Sequence, residues 1–166
     1  GLWAILMWLN ILASRHQSVE AVISDHWLTY GRHYYSRHDY EGVEEAKADT
    51  VMSGLSEKLE SLVGKTFQDE TVSKADNFSY HDPVDGSVSH NQGLRVEFES
   101  GSRFVIRLSG TGTVGATLRL YLEKYEPKDG DLKQDVQIAL QPIAEIAEEI
   151  AKIKSTVNRE KPSLIT

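Results

Sequence analysis

The stretch GLRVEFESGSRFVIRLSGTGTVGATLRLYLEKYE, residues 93–126, decides the fold class of this chain. Apolar and polar side chains alternate along much of it, which is the period of a β-strand with one buried face. The clearest apolar positions are Leu94, Val96, Phe98, Leu118, Leu120 and Leu122. Ser100 and Gly101 are turn residues between two alternating segments, so the sequence predicts an antiparallel hairpin followed by a further strand.

Helical patterns lie on both sides of these strands. The predicted helices span 1–13, 18–30, 44–63 and 131–154, and Pro142 should kink or split the last one. A short strand is predicted at 77–82, a link between two packing units at 32–41, and a frayed tail from about Asn158. The order predicts an α+β fold: an antiparallel sheet of about four strands, covered by helices on one face.

The composition is that of a folded, acidic chain. Of its 166 residues, 40% are apolar, and 25 acids against 18 bases give a net charge of −7. This charge argues against a nucleic-acid surface. The chain has no cysteine, which excludes disulfides and thiolate chemistry. The absence of cysteine fits a reducing compartment, and we expect a cytoplasmic location.

The first predicted helix, GLWAILMWLNILA, is apolar almost all round. It is too short to span a bilayer, and a helix of this kind is normally buried. The alternative, an interfacial membrane helix, lacks the Lys- and Arg-rich polar face that such helices use. We therefore expect an interior helix of a longer protein, which would otherwise drive self-association, and no membrane partner.

The candidate binding site is RLSGTGTVGAT, residues 107–117, with Arg119 two residues beyond it. The segment lies between predicted strands and lacks a Gly-Lys-Ser/Thr ending, so it is neither a Walker A loop nor a dinucleotide fingerprint. Glycines can expose successive N–H groups to an anion, and arginines can hold phosphate bidentately. From these residues alone, a phosphate-binding loop and a flexible connection with solvated arginines remain equally open.

Other clusters indicate structure more than chemistry. The six histidines have no metal-ligand spacing, so we expect no metal site in this chain. Asp82 and Asp85 are predicted to bond their own turn, and Ser109 lacks the GxSxG motif of a nucleophile elbow. The tyrosines and arginines of 32–41 permit base stacking, but the acidic residues that follow favour packing between domains. No catalytic residue is predicted.

Several motifs together resemble the C-terminal part of phosphoglucomutases, in the α-D-phosphohexomutase family. They are GLWAILMWLNILA, DHWLTYGRHYYSRHDYE, residues 82–126 and the closing SLIT. The most specific is RLSGTGTVGATLRLY, where Thr113–Val114 replaces the family's usual Ser-Ala. The resemblance covers nearly the whole chain.

The resemblance implies a four-domain parent that interconverts glucose 1-phosphate and glucose 6-phosphate with Mg²⁺ and glucose 1,6-bisphosphate. Residues 1–40 would be the helical end of the third domain and its connection, and 41–166 the fourth, with a fold similar to the TATA-binding protein. This domain would bind the phosphate that is not transferred. The implied site residues are Arg107, Ser109, Gly110, Thr111, Gly112, Thr113 and Arg119.

The family's phosphoserine motif, Asp-x-Asp-x-Asp metal loop and Gly-Glu-Glu-Ser sugar loop are not among these residues. The resemblance therefore implies a fragment that holds phosphate but is inactive alone, binds no cofactor itself, and has the missing N-terminal domains and a sugar phosphate as partners. The alternatives are a non-catalytic phosphoglucomutase-like interaction protein and, because of the sheet topology, a nucleic-acid binder that the net charge disfavours.

Overall fold

A computed structural model of the chain describes residues 1–112 and 115–166, with backbone alone for Thr111 and Gly112. The helices are α1 Leu2–Arg15, α2 Val19–Tyr30, α3 Glu45–Ser56, α4 Leu59–Leu62, α5 Val136–Ala151 and α6 Ile153–Val157. The strands are β1 Arg32–Val43, β2 Thr66–Phe67, β3 Glu70–Asn77, β4 Tyr80–His81, β5 Val88–Ser89, β6 Leu94–Phe98, β7 Arg103–Gly112, β8 Gly115–Glu126 and β9 Leu164–Ile165.

The predicted α+β class is confirmed, and the sheet is larger than the four strands expected. Seven strands lie in the order β2-β3-β6-β7-β8-β1-β9, and β4 and β5 form a separate ribbon. The chain divides into two compact units, residues 1–33 with 125–134 and residues 34–124 with 135–166. The predicted domain boundary near residue 40 stays a prediction.

The core of the larger unit lies between the sheet and its helices. Alternate residues of β6, β7 and β8 are buried, and α3 and α5 contact β7. Its most deeply buried large side chains include Tyr34, Phe104, Ile106, Leu118, Leu122, Ile143 and Ile146. The alternation that buries these side chains turns their neighbours, among them Arg103, Arg107 and Arg119, toward the opposite face of the sheet.

The segment 32–41, expected without a clear period, is part of strand β1, and the division between the two compact units falls within it, between His33 and Tyr34. Tyr34 and Ser36 are buried on the core face, and polar Ser36 and His38 hide the two-residue period in the sequence. Their polar atoms have partners. Gln137 Nε2 donates to Ser36 Oγ at 3.0 Å, and His38 Nε2 lies 3.1 Å from Gln137 Oε1. A satisfied polar group can occupy a core position.

The tail is also ordered where fraying was expected. Strand β9 pairs antiparallel with β1, with His38 opposite Ile165. The N–H of Arg37 donates to Thr166 O at 2.8 Å, and the N–H of Thr166 donates to Arg37 O at 3.0 Å. Local sequence could not show this pairing, because the partner lies more than a hundred residues away.

The long helices differ from prediction at their ends. The 44–63 helix divides into α3 and α4, and α5 begins after Asp135, whose carboxylate accepts from the N–H of Gln137 at 2.9 Å. Pro142 does not split α5, which continues to Ala151 and is followed by a C-cap residue, Lys152, with φ 52°. Pro142 is on the exposed face, where water can reach the carbonyl that its missing N–H leaves free.

The smaller unit contains α1 and α2. Ser18 caps α2 by accepting from the N–H of Ala21 at 3.2 Å, as the sequence predicted. The guanidinium of Arg32 lies 4.1 Å from the ring centre of Trp27. In this chain α1 has no buried residue, and Trp3 is 74% exposed. None of the helices in the described residues is both long and apolar enough to cross a membrane.

Candidate functional site

The β7–β8 hairpin places the two predicted arginines side by side. Arg107 is directly opposite Arg119 in the antiparallel register, and Ser109 is opposite Thr117. The register shifts between Ser109 and Gly112, where the strands approach their turn. Two guanidinium groups therefore leave the same face of the sheet at the base of the glycine-rich loop.

Two glycines of the loop have backbone conformations that other residues adopt at a cost. Gly110 has φ 68° and Gly115 has φ 93°. A Cβ at Gly115 would lie 3.0 Å from Val43 O, so the loop passes close to the end of β1. Gly112 pairs with Gly115, whereas Thr113 lies outside the described residues. The described part of the loop thus has a backbone that favours glycine at Gly110 and Gly115.

Arg107 differs from its neighbours on this face. Arg103 is paired with Glu123, with Nε–Oε2 at 2.6 Å, and Arg95 is paired bidentately with Asp76. Within the described part of the chain, the guanidinium of Arg107 contacts no carboxylate and has Gln92 Oε1 at 3.5 Å. Its positive charge is therefore available to a ligand.

Arg119 lies beside a buried carboxylate that the sequence did not single out. Asp39 Oδ1 is 3.9 Å from Arg119 Nε and 2.9 Å from Arg37 Nε. The Asp39 side chain is 3% exposed, while the two arginine side chains are about one-third exposed. Two residues of β1, Arg37 and Asp39, thus stand next to the predicted site. An alternation of apolar and polar residues along β1 would have indicated a strand that carries these two residues. The polar side chains on the core face of β1 hide that alternation in the sequence.

A concave cavity of about 810 Å³ lies in the larger unit, and Arg107 is one of the residues that line it. Among its lining residues are Tyr35, Arg37, Arg95, Arg103, Arg107 and Tyr121. Because Arg95 and Arg103 are neutralised by acids, the free charge in this lining is concentrated near Arg107. Aromatic and guanidinium groups together suit an anion that carries a larger organic part.

Four titratable groups of the larger unit have pKa values shifted by hydrogen bonding or burial. Hydrogen bonding from Arg95 holds the pKa of Asp76 below its ordinary value, and the same bond raises the pKa of Arg95. Burial lowers the pKa of His38 and raises the pKa of Tyr40 to about 12. These residues support the sheet, and none of them has the geometry of a nucleophile–base pair.

The predicted absence of a metal site and the predicted turn bonds concern the acidic and histidine side chains. In residues 1–112 and 115–166, no group of three His, Asp or Glu side chains is placed to hold a metal. Asp82 and Asp85 do bond their own turn: their carboxylates accept from the N–H groups of Val84 and Ser87, each at 2.8 Å. The Mg²⁺ that the resemblance implies has no ligand set among the described residues.

These features define an α+β domain with two arginines opposite each other at the base of a glycine-rich hairpin. Comparison with known proteins identifies its class. The family model described as Phosphoglucomutase-1, C-terminal domain, matches residues 32–163. The chain therefore belongs to the phosphoglucomutase-1 C-terminal domain family.

Individual relatives agree with this assignment. The chain is 52% identical over its whole length to a phosphoglucomutase of Rhizobium radiobacter and 49% identical to human phosphoglucomutase-1, and it spans 31% of each. Among solved structures, it matches parafusin (pp63) from Paramecium, an exocytosis-sensitive phosphoprotein described as a phosphoglucomutase in an open form. That match has a TM-score of 0.87 at 41% identity and covers 29% of the parafusin chain. The chain thus spans less than a third of the length of these relatives.

Proposed function

We propose that this chain binds the phosphate group of a sugar phosphate at the β7–β8 hairpin, as the C-terminal portion of a phosphoglucomutase. The observation that carries the proposal is Arg107, a guanidinium without a carboxylate partner in the described residues, directly opposite Arg119 beside a glycine-rich loop. Two arginines and a row of N–H groups are complementary to a phosphate dianion.

In this proposal the whole protein interconverts glucose 1-phosphate and glucose 6-phosphate, with Mg²⁺ and glucose 1,6-bisphosphate used elsewhere in it. The identity to phosphoglucomutases over the full length of this chain supports that assignment. The part of the reaction assigned to this chain is positioning. A fixed phosphate orients the sugar so that the phosphate being transferred can reach its acceptor.

The proposal makes the chain alone a binder without mutase activity. Phosphoryl transfer needs a nucleophile and charge neutralisation around the moving group. The proposed site binds the phosphate that is not transferred and supplies no nucleophile for the transfer. Its residues are Arg107, Ser109, Gly110, Thr111, Gly112, Thr113 and Arg119. Weak binding is expected, since contacts to the sugar would come mainly from other parts of the protein.

The test is an NMR titration of the chain with glucose 6-phosphate, inorganic phosphate and, as the neutral control, glucose. We expect amide shifts concentrated at 110–115 with both phosphates and none with glucose. Binding should strengthen as the pH rises through about 6, where the phosphate becomes a dianion. A folded chain whose 110–115 amides do not respond to either phosphate would refute the proposal.

A further inference from the structure

Asp39 is an unusual residue in this structure. Among the described acidic residues it alone is classed as buried, with 2% of its surface exposed. A carboxylate loses most of its hydration in such a position, and that loss costs several kcal/mol unless charge partners offset it. Packing alone therefore does not explain why a carboxylate is buried at this position.

One oxygen of Asp39 faces both neighbouring arginines. Oδ1 lies 2.9 Å from Nε of Arg37 and 3.9 Å from Nε of Arg119, so it meets the inner nitrogen of each guanidinium. In the described part of the chain, no further partner is present for either guanidinium. The terminal N–H groups are consequently left for another acceptor, and these are the groups that hold a phosphate bidentately.

The arrangement is not optimised for hydrogen bonding. Arg37 Nε, Asp39 Oδ1 and Arg119 Nε are buried atoms without a hydrogen bond of good geometry in the described residues. A charge cluster of this kind adds little stability compared with an apolar core. The cluster instead orients the two guanidinium groups, because one fixed negative charge attracts both flexible side chains to the same place.

The backbone of Asp39 is itself held firmly. The N–H of Ser163 donates to Asp39 O at 2.7 Å, and Asp39 is opposite Leu164 in the β1–β9 register. A short carboxylate side chain on a paired strand has few conformations, whereas an arginine side chain has many to lose. Asp39 is thus the fixed member of the cluster.

We propose that Asp39 is a positioning residue for the phosphate site, which holds Arg119 and brings Arg37 beside it so that their outer N–H groups face the anion. The inference rests on the proposed function. The direction in which phosphate affinity changes when the Asp39 charge is removed tests it. Removal of a negative charge next to an anion site should tighten binding by electrostatics alone, but loss of positioning should weaken it. The two effects oppose each other, so measurement decides between them.

The experiment compares the chain with its Asp39→Asn variant, using inorganic phosphate and glucose 6-phosphate as probes. We expect both to bind about tenfold more weakly to the variant, the size of one lost charge-assisted hydrogen bond. In an Arg119→Ala background, Asp39→Asn should have less than half of this effect, because Asp39 acts through Arg119. Unchanged or tighter binding to Asp39→Asn would overturn the inference.

The matched control is Asp76→Asn, which removes a carboxylate from Arg95 elsewhere in the same unit. It should leave phosphate affinity within about twofold, whereas an equal loss in both variants would mean that neither carboxylate has a special role. A second measurement needs no variant. In the free wild-type chain the Nε atoms of Arg37 and Arg119 are buried beside Asp39. Their N–H signals should therefore exchange slowly with water, and rapid exchange of both would refute the positioning role.

The two proposals fail in different ways. If the wild-type chain does not bind phosphate, the proposed function fails, while slow Nε–H exchange still reports the cluster. If the wild-type chain binds phosphate and Asp39→Asn binds it equally well, only the role of Asp39 fails.

Discussion

The substitution Arg107→Ala tests the proposed site most directly, because the structure separates its effect on binding from its effect on stability. The Arg107 side chain is exposed, and its described contact is Gln92 Oε1 at 3.5 Å, which is a weak interaction. Loss of such a contact should change the free energy of unfolding by no more than about 0.5 kcal/mol. A large effect on the fold is therefore not expected.

The expected effect on phosphate binding is much larger. A hydrogen bond between charged partners contributes about 1.5–3 kcal/mol, which corresponds to a dissociation constant raised about 10- to 100-fold. Arg107→Lys should lie between wild type and alanine, because lysine keeps the charge but loses the bidentate geometry. The titration follows amide shifts with glucose 6-phosphate, and thermal unfolding is measured on the same samples.

Arg103→Ala is the matched control for this prediction. Arg103 lies on the same strand and the same face, but its guanidinium is paired with Glu123, 2.5 Å away. Its removal should cost up to about 1 kcal/mol of stability and leave phosphate affinity within about twofold. If Arg107→Ala binds phosphate as tightly as wild type, or if Arg103→Ala weakens binding equally, the assignment of the site to Arg107 is wrong.

Further predictions concern the loop, the sheet and the first helix. Gly115→Ala should lower stability by about 1–3 kcal/mol, more than Gly110→Ala, because only the former brings a Cβ 3.0 Å from Val43 O; equal losses in chemical denaturation would contradict this. Burial lowers the pKa of His38, so the unfolded chain binds more protons below the ordinary value of 6.5. Stability should fall as the pH drops through that value, and a His38→Asn variant with the same pH profile would refute the assignment. The exposed apolar surface of α1 should make the chain self-associate, and Leu6→Glu should reduce the mass measured by sedimentation; a wild-type monomer at all concentrations would contradict this.

The sequence by itself determined the central strands and the loop between them. The alternation of residues 93–126 reports burial of every second side chain, a local property that a sheet with one covered face imposes wherever it occurs. Local chemistry also determined the cap at Ser18 and the turn bonds of Asp82 and Asp85, since donor and acceptor are only a few residues apart. The arginines and glycines of the candidate site were evident because they lie together in one short segment, residues 107–119.

The tertiary structure alone decided how the sheet is completed and what surrounds the arginines. Strand β1 carries Ser36 and His38 on its core face, and their suitability depends on Gln137, about a hundred residues later. The pairing of β9 with β1 and the approach of Asp39 to Arg119 join parts of the chain that are far apart in sequence. Burial of a carboxylate beside two guanidinium groups is a property of that assembled environment, and no local pattern encodes it.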